Sequence, residues 1–495
     1  MSGGEVDDED DDDLILVEPR GNGLMLLEDK TLSKSVIDTK LSLGPILNAL
    51  GGVETLNDKL FPYLNSGDLF VLCCCSRALW TLISADDGLW RELALNELSD
   101  EQLDARLLLK FTDWQSVVAG RRYRKRKMGR LFSDAVHRPL HCGRAKIDPF
   151  WLNRDNVARE KQKITVEQFI ERYETTRTPV VLSGFEGHFI QGIERWKKGL
   201  QSGMTSLHTS GRFRCGARSI SSESFAAYSS SPLAAHDESP LYIFDAKFAE
   251  TFPQLAQDYE VPIVFKGEAR DLFEYLGPKR RPDYRWIIAG AAKSGSKWHV
   301  DPNCTHAWNL SMKGKKKWLM LPPWGAPPPG VFPSPDGGSV AQPVSLMEWF
   351  LEFYKTTRKT REKQLIEFIA DVGDLVFVPR NWWHAVLNIE ESFAVTQNYV
   401  STTNLPRALR FFQEKPDQVS GLSRCGMAVD RRHTFLQEFL DVLPERFKFT
   451  PSQAGESSHI PPPSVSWSSL VPKQDLRTGS SSFSFGFEVN NDDML

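Results

Sequence analysis

Four short apolar runs, each stopped by proline, glycine or a polar cluster, constrain this chain most. They are "YRWIIAG" (Tyr284 to Gly290), "KKKWLMLPPW" (Lys315 to Trp324), "GDLVFVPRNWWHAVLN" (Gly373 to Asn388) and "SFAVTQNYVS" (Ser392 to Ser401). They are too short for globular helices and rich in β-branched and aromatic residues, so they read as strands. The Gly373–Asn388 run reads as two strands around a turn, and Pro322-Pro323 stop the lysine-bearing one. Upstream, "PVVL" (Pro179 to Leu182) and "SPLYIFD" (Ser239 to Asp245) are further strands, while "ITVEQFIERYE" and "SLMEWFLEFYKTTR" have helical spacing. Many short strands with turn punctuation predict a barrel or double-sheet jelly roll inside an α+β chain. No repeat of 20–50 residues runs through the sequence, which excludes a solenoid.

At 495 residues there is room for more than one domain. Residues 1–40 open with an acidic run and read as disordered. Residues 41–120 carry apolar residues three and four apart and read as a small helical domain. Residues 121–163 form a basic linker and lead-in, with "RRYRKRKMGR" at Arg121 to Arg130 as a nuclear-import or nucleic-acid signal. Residues 164–402 are the strand-rich domain, 403–450 a helical segment that covers the sheet or forms a dimer contact, and 451–495 a Ser/Pro-rich disordered tail. No window approaches a membrane span, and the acidic start is unlike a secretory leader. The net charge of −4 is too small to argue for nucleic acid or membrane. Seven cysteines, three of them consecutive (Cys73 to Cys75) and none in C-x-x-C, read as reduced thiols. The triple is expected to serve helix packing.

"KSGSKWHVDPNCTHAWN" (Lys293 to Asn309) holds the candidate chemistry. In an extended strand His299 and Asp301 project to one side. His384 ends a second apolar stretch, and a jelly roll brings distant strand ends together. Two histidines and a carboxylate on one face make the ligand triad of non-haem Fe(II) oxygenases, with three coordination positions left for a 2-oxo acid and O2. A 2-oxoglutarate co-substrate also needs a cation for its distal carboxylate. The lysine-bearing strand, expected next after His299 and flanked by both ligand stretches, offers Lys315, Lys316 and Lys317, of which alternation turns only one inward. Trp298, Trp382 and Trp383 are candidates for the pocket wall.

From about Ile164 to Ser401 the chain resembles a JmjC domain of the cupin superfamily. Within it, the sequence is most similar to the bifunctional arginine demethylase and lysyl hydroxylase subfamily. The runs that carry the resemblance are "SPLYIFD", "DLFEYLGPKRRPDYRW", "HVDPNCTHAWN", "GDLVFVPRNWWHAVLN" and "TQNYVS". The resemblance implies a double-stranded β-helix with His299, Asp301 and His384 as the iron ligands. It implies Tyr242, Ser296, Asn309, Lys316 and Thr396 as 2-oxoglutarate contacts, Ser296 standing where the relative has Thr. It further implies Fe(II), 2-oxoglutarate and O2 as cofactor and co-substrates, and a lysine- or arginine-containing protein substrate, such as a histone or an RNA-associated protein, in the nucleus. The 41–120 stretch resembles an F-box in "LFPYL" (Leu60 to Leu64), Asp68-Leu69, Arg77, Trp80 and "LWREL" (Leu89 to Leu93), which implies docking to a Skp1-type adaptor of a ubiquitin ligase. Two other functions stay open: an oxygenase acting on RNA, and an F-box substrate receptor whose cupin domain does not turn over.

Overall fold

A computed structural model describes residues 15–18, 23–26, 52–122, 129–161, 164–184, 211–422 and 431–448. The remainder of the acidic start, most of the basic run and the 451–495 tail lie outside the described residues. The chain divides into two compact units, Met1–Ala145 with Ser230–Glu238, and Lys146–Ser229 with Ser239–Leu495.

The first unit is helical over Gly52–Lys59, Ser66–Cys75, Arg77–Ala85, Asp87–Glu97, Asp100–Leu108 and Trp114–Ala119. Five of these start at a polar cap. Asn65, Ser76, Asp86, Ser99 and Asp113 each accept a backbone N–H of the first turn, which satisfies donors the helix itself cannot. Leu69 and Trp90 are fully buried, and the Trp90 indole donates to the Ile83 carbonyl at 2.9 Å. Of the three consecutive cysteines, Cys73 faces the core and is buried, while Cys74 and Cys75 are exposed.

The expectation of disorder over residues 1–40 needs correction. Strands β1 (Ile15–Glu18) and β2 (Gly23–Leu26) flank β3 (Gly129–Phe132), β1 parallel and β2 antiparallel. "ILVE" and "GLML" are short apolar runs, and both pair with β3 in the 121–163 stretch. That stretch is therefore not all linker.

The second unit starts at Lys146 rather than near 164. Its strands are β4 (Ala158–Lys161), β5 (Val180–Ser183), β6 (Arg212–Cys215), β7 (Arg218–Ser221), β8 (Tyr242–Asp245), β9 (Arg285–Gly290), β10 (Gly295–His299), β11 (His306–Lys313), β12 (Lys316–Leu321), β13 (Phe332–Pro333), β14 (Val340–Ala341), β15 (Ile366–Ala370), β16 (Leu375–Val378), β17 (Trp383–Asn388) and β18 (Ser392–Tyr399). One sheet has the order β4-β5-β16-β11-β18-β9-β8 and the other β10-β17-β12-β15. Between β9 and β12, and again from β15 to β18, successive strands alternate between the sheets, the winding of a double-stranded β-helix. Every pairing is antiparallel except β4 with β5.

Between the sheets lies an apolar cluster of Val181, Ala307, Val376 and Val378 from the larger and Trp318, Met320, Phe368, Ala370 and Val386 from the smaller. At the corner between β11 and β12 sits Gly314, with φ +74°. A Cβ there would lie 2.2 Å from the Glu391 carbonyl oxygen, so only glycine makes this change of sheet. The helical stretch Val166–Glu174 ends on Glu174, which accepts two bonds from the buried Arg270 guanidinium at 2.7 and 3.0 Å and one from Tyr399 Oη at 2.9 Å. The C-terminal helices Leu405–Glu414 and Phe435–Val442 pack with the Leu272–Leu276 turn around Phe273, Phe412 and Phe439. The packing is within the chain, against the turn that precedes β9. No helix among the described residues is long and apolar enough to cross a membrane.

Candidate metal centre and co-substrate pocket

β10 and β17 pair so that His299 stands directly opposite His384. Their ring centroids are 4.0 Å apart. Each imidazole is held in the same way. His299 Nδ1 contacts the Lys297 carbonyl oxygen at 2.7 Å, and His384 Nδ1 contacts the Trp382 carbonyl oxygen at 3.0 Å. A carbonyl can only accept, so both Nδ1 atoms carry the proton and each Nε2 keeps the lone pair that a metal ligand needs.

Asp301 does not belong to the strand. β10 ends at His299, and Asp301 lies just beyond it in extended backbone (φ −64°, ψ 143°) ahead of the Pro302–Cys304 turn. It still delivers its carboxylate, because the loop after it is fixed. Asn303 and Cys304 both have positive φ. The Asn303 amide exchanges two hydrogen bonds with the Ser420 backbone at 3.0 and 3.1 Å, and Asn404 Nδ2 donates to the Cys304 carbonyl at 3.0 Å. One ligand atom from each of His299, Asp301 and His384 lies within 4.8 Å of the others.

The electrostatics fit a cation. Burial pushes His299 down to about 3, with the neighbouring His384 adding to it, and pushes His384 down to about 4. Both rings are therefore neutral ligands at ordinary pH. Burial also raises Asp301, whose Oδ2 is buried without a hydrogen-bond partner. A buried carboxylate oxygen without a hydrogen-bond partner, beside two neutral imidazoles, is a costly arrangement unless a metal completes it.

The other predicted residues lie further along the barrel. Asn388 follows His384 by four residues on the same face of β17, about 13 Å away, and Lys316 of β12 is its register partner. Lys316 Nζ donates to Asn388 Oδ1 at 3.0 Å, and Asn388 Nδ2 donates to Ser294 Oγ at 2.9 Å. Lys316 is 1% exposed and has no carboxylate partner among the described residues. Burial alone pulls it down to about 7. Asn309 and Thr396 are register partners on β11 and β18. Thr396 Oγ1 donates to the Trp308 carbonyl at 2.9 Å, while Asn309 Oδ1 is buried without a partner. Tyr242, raised by burial, hydrogen-bonds with Ser296. Gly290, opposite Tyr242, makes room for its ring and for Ser294, since a Cβ would come within 2.7 Å of Tyr242 Cδ2 and 2.2 Å of Ser294 Oγ.

Three expectations change. β11 intervenes between His299 and the lysine strand, and it is β17 that lies between β10 and β12, so the lysine strand has a ligand strand on one side only. Lys317 does turn to the opposite face, yet it too is fully buried, paired with Glu367 at 2.8 Å; only Lys315 is exposed to water. Trp298 is no pocket wall. It points away from the interior and packs on Trp349, at 5.2 Å between centroids. Trp382 joins the interior cluster and Trp383 is half-buried. Asn388 and Ser294 were overlooked, although the alternation His384, Val386, Asn388 placed Asn388 on the ligand face.

Residues 286–399, which run from β9 to the end of β18, match the family model for "JmjC domain, hydroxylase". The arginine-specific demethylase JMJ22 of Arabidopsis thaliana is 39% identical over 74% of this chain and 71% of its own. This chain belongs to the JmjC-domain hydroxylase family. The bifunctional arginine demethylase and lysyl-hydroxylase psr-1 of Caenorhabditis elegans is 35% identical over 52% of this chain and 64% of its own. The 2-oxoglutarate and iron-dependent oxygenase JMJD4 of Danio rerio is 29% identical over 37% and 41%. The JmjC chain described here is thus an oxygenase of the Fe(II)- and 2-oxoglutarate-dependent family, and its His-Asp-His cluster fits iron.

Proposed function

We propose that this JmjC protein hydroxylates or N-demethylates lysine or arginine side chains of a protein substrate. The observation that carries the reading is the pairing, along one face of β17, of a three-ligand cluster with a buried lysine that lacks a counter-ion. His299, Asp301 and His384 would hold the iron. Lys316 would bind the distal carboxylate of 2-oxoglutarate, with Tyr242, Ser296, Asn309 and Thr396 lining its course. When bound, Fe(II) supplies an oxidation in which O2 places one oxygen on a substrate C–H carbon and the other in succinate, with CO2 released. An N-methyl carbon hydroxylated this way leaves as formaldehyde.

The chain's own residues bind, orient and exclude water. The two Nδ1–H···O=C bonds fix the imidazole planes, and Asn398, which hydrogen-bonds Asp301, fixes the carboxylate. The relatives named for arginine and lysine chemistry support a protein substrate. The test uses Mn(II), which occupies such sites without turnover. The melting temperature should rise only when Mn(II) and 2-oxoglutarate are both present, by mass action, and Asp301→Ala should abolish the rise. An unchanged melting temperature in the wild type at saturating ligand would refute the reading and leave a non-catalytic receptor.

A docking role of the helical unit is a second, compatible reading. Tyr63 is 78% exposed and Val71 64%, with Leu60 also exposed. These apolar side chains are the ones a Skp1-type adaptor would cover, whereas Leu69 and Trp90 are core. Import into the nucleus through the basic run Arg121–Arg130 completes the proposal.

A further inference from the structure

Several arginines of the second unit are matched to carboxylates. Arg159 meets Asp155 and Asp374, Arg172 meets Glu160, Arg270 meets Glu174, and Arg281 meets Asp271. Arg177 and Arg380, at one end of the barrel, have no carboxylate ion pair among the described residues.

Both lie at the end of the barrel that bears the metal ligands. Arg380 occupies the turn between β16 and β17, four residues before His384, and its backbone N–H donates to His306 Nδ1 at 3.0 Å. Arg177, at φ +55°, leads into β5, which pairs with β16 at Val180 and Phe377. Its guanidinium lies 5.5 Å from the ring centroid of Trp324. Trp324 is 56% exposed and stands edge-on to Trp382 at 5.6 Å. Burial lowers Arg380, and the charges of Arg177 and Arg407 lower it further, although Cys304 acts the other way. Two guanidiniums, Arg177 and Arg380, close enough to repel and without a carboxylate ion pair, are an unfavourable arrangement that an incoming anion relieves.

We propose that Arg177, Arg380 and the exposed Trp324 form an anion-recognition site at the barrel rim, which takes an acidic side chain of the protein substrate flanking the target residue. The inference rests on the oxygenase reading above and gives its substrate class: a lysine- or arginine-containing segment with a nearby aspartate or glutamate. A guanidinium pair matches carboxylate geometry, and the Trp324 ring offers apolar contact to the peptide beside it. Single-stranded nucleic acid fits less well. It calls for a run of stacking rings along a basic groove, whereas here one ring has its neighbours already placed, Arg177 over it and Trp382 against it.

The test uses the full chain loaded with Mn(II) and 2-oxoglutarate, and fluorescence anisotropy of two labelled peptides. The peptides share a central lysine and arginine and differ only in flanking Glu or Gln. Oligouridine serves as a third probe. The Glu peptide should bind about tenfold or more tightly than the Gln peptide. The double variant Arg177→Gln/Arg380→Gln should erase that difference while keeping the melting shift with Mn(II) and 2-oxoglutarate. Equal binding of the two peptides by the wild type, or an undiminished preference in the double variant, overturns the proposal. Oligouridine binding that depends on the two arginines overturns it in favour of nucleic acid. A wild type without the Mn(II) and 2-oxoglutarate shift fails at the oxygenase reading instead, so the two failures are distinct.

Discussion

Replacing Lys316 with methionine should stabilise the ligand-free protein while abolishing its response to 2-oxoglutarate. Methionine keeps the length of the side chain and removes the charge. Burial holds Lys316 at about 7 against an ordinary 10.5, which corresponds to roughly 5 kcal/mol of destabilisation when the amine is protonated. Leaving Asn388 Oδ1 without its donor returns about 1 kcal/mol or more of that. The net gain is on the order of 3–4 kcal/mol. Its pH dependence follows from the direction of the shift. The folded value lies below the unfolded one, so between about pH 7 and 10.5 the unfolded chain binds the extra proton and wild-type stability rises with pH. The methionine advantage is therefore full at pH 7 and below, and shrinks by about 1.4 kcal/mol per pH unit above it. Urea denaturation of both proteins without metal, at pH 6.5 and pH 9, measures it. A variant less stable than wild type at pH 6.5, or a gain equal at both pH values, refutes the account of Lys316 as an uncompensated buried cation. A 2-oxoglutarate shift that survives the substitution removes Lys316 from the co-substrate pocket.

Other outcomes follow from the same geometry. Glu174→Gln should cost about 3–5 kcal/mol, because it leaves the Arg270 guanidinium buried with a weakened partner; thermal denaturation reads this, and a loss under 1 kcal/mol contradicts it. In the metal-free protein His299 and His384 should stay unprotonated from pH 8 down to about pH 5, since burial holds them at about 3 and 4; titration of either ring near pH 6.5, followed by NMR, would show ordinary solvated imidazoles. Leu69→Ala and Trp90→Ala should destabilise the helical unit by about 2–5 kcal/mol. Tyr63→Ala and Val71→Asp should leave its melting unchanged and weaken adaptor capture in a pull-down with purified Skp1; unchanged capture would argue against docking through this surface.

The strands of the barrel were legible because each is a short apolar run with its own stop signal. The triad was legible because a His-x-Asp at a strand end and a second strand-end histidine are few in kind and plain in spacing. Asp301 shows where the reasoning was right for an incomplete reason: its aim comes from the Asn303 and Cys304 backbone and from Ser420, more than a hundred residues on, not from strand alternation. Lys317 shows a limit of a different sort. Alternation correctly turned it away from Lys316, but nothing local reveals that the other face is covered and carries Glu367. The pairing of β1 and β2 with β3 was hidden because the acidic run dominates the composition around two four-residue strands. Arg177 and Arg380 stand far apart in sequence, and only the sheet order brings them to one rim.

The corner at Gly314 has a consequence for the strand that follows it. "KKKWLML" would present a lysine and then apolar residues to the barrel interior in either of two registers one residue apart, so hydrophobic patterning hardly separates them. A slip would hand the interior position to Lys315 or Lys317 and detach Glu367 from its partner. Because the chain turns from β11 into β12 within two residues, at a backbone angle that only glycine adopts there, the count from the corner to the first inward side chain is fixed. Which of three identical side chains becomes the deep cation is thus decided by a residue with no side chain at all.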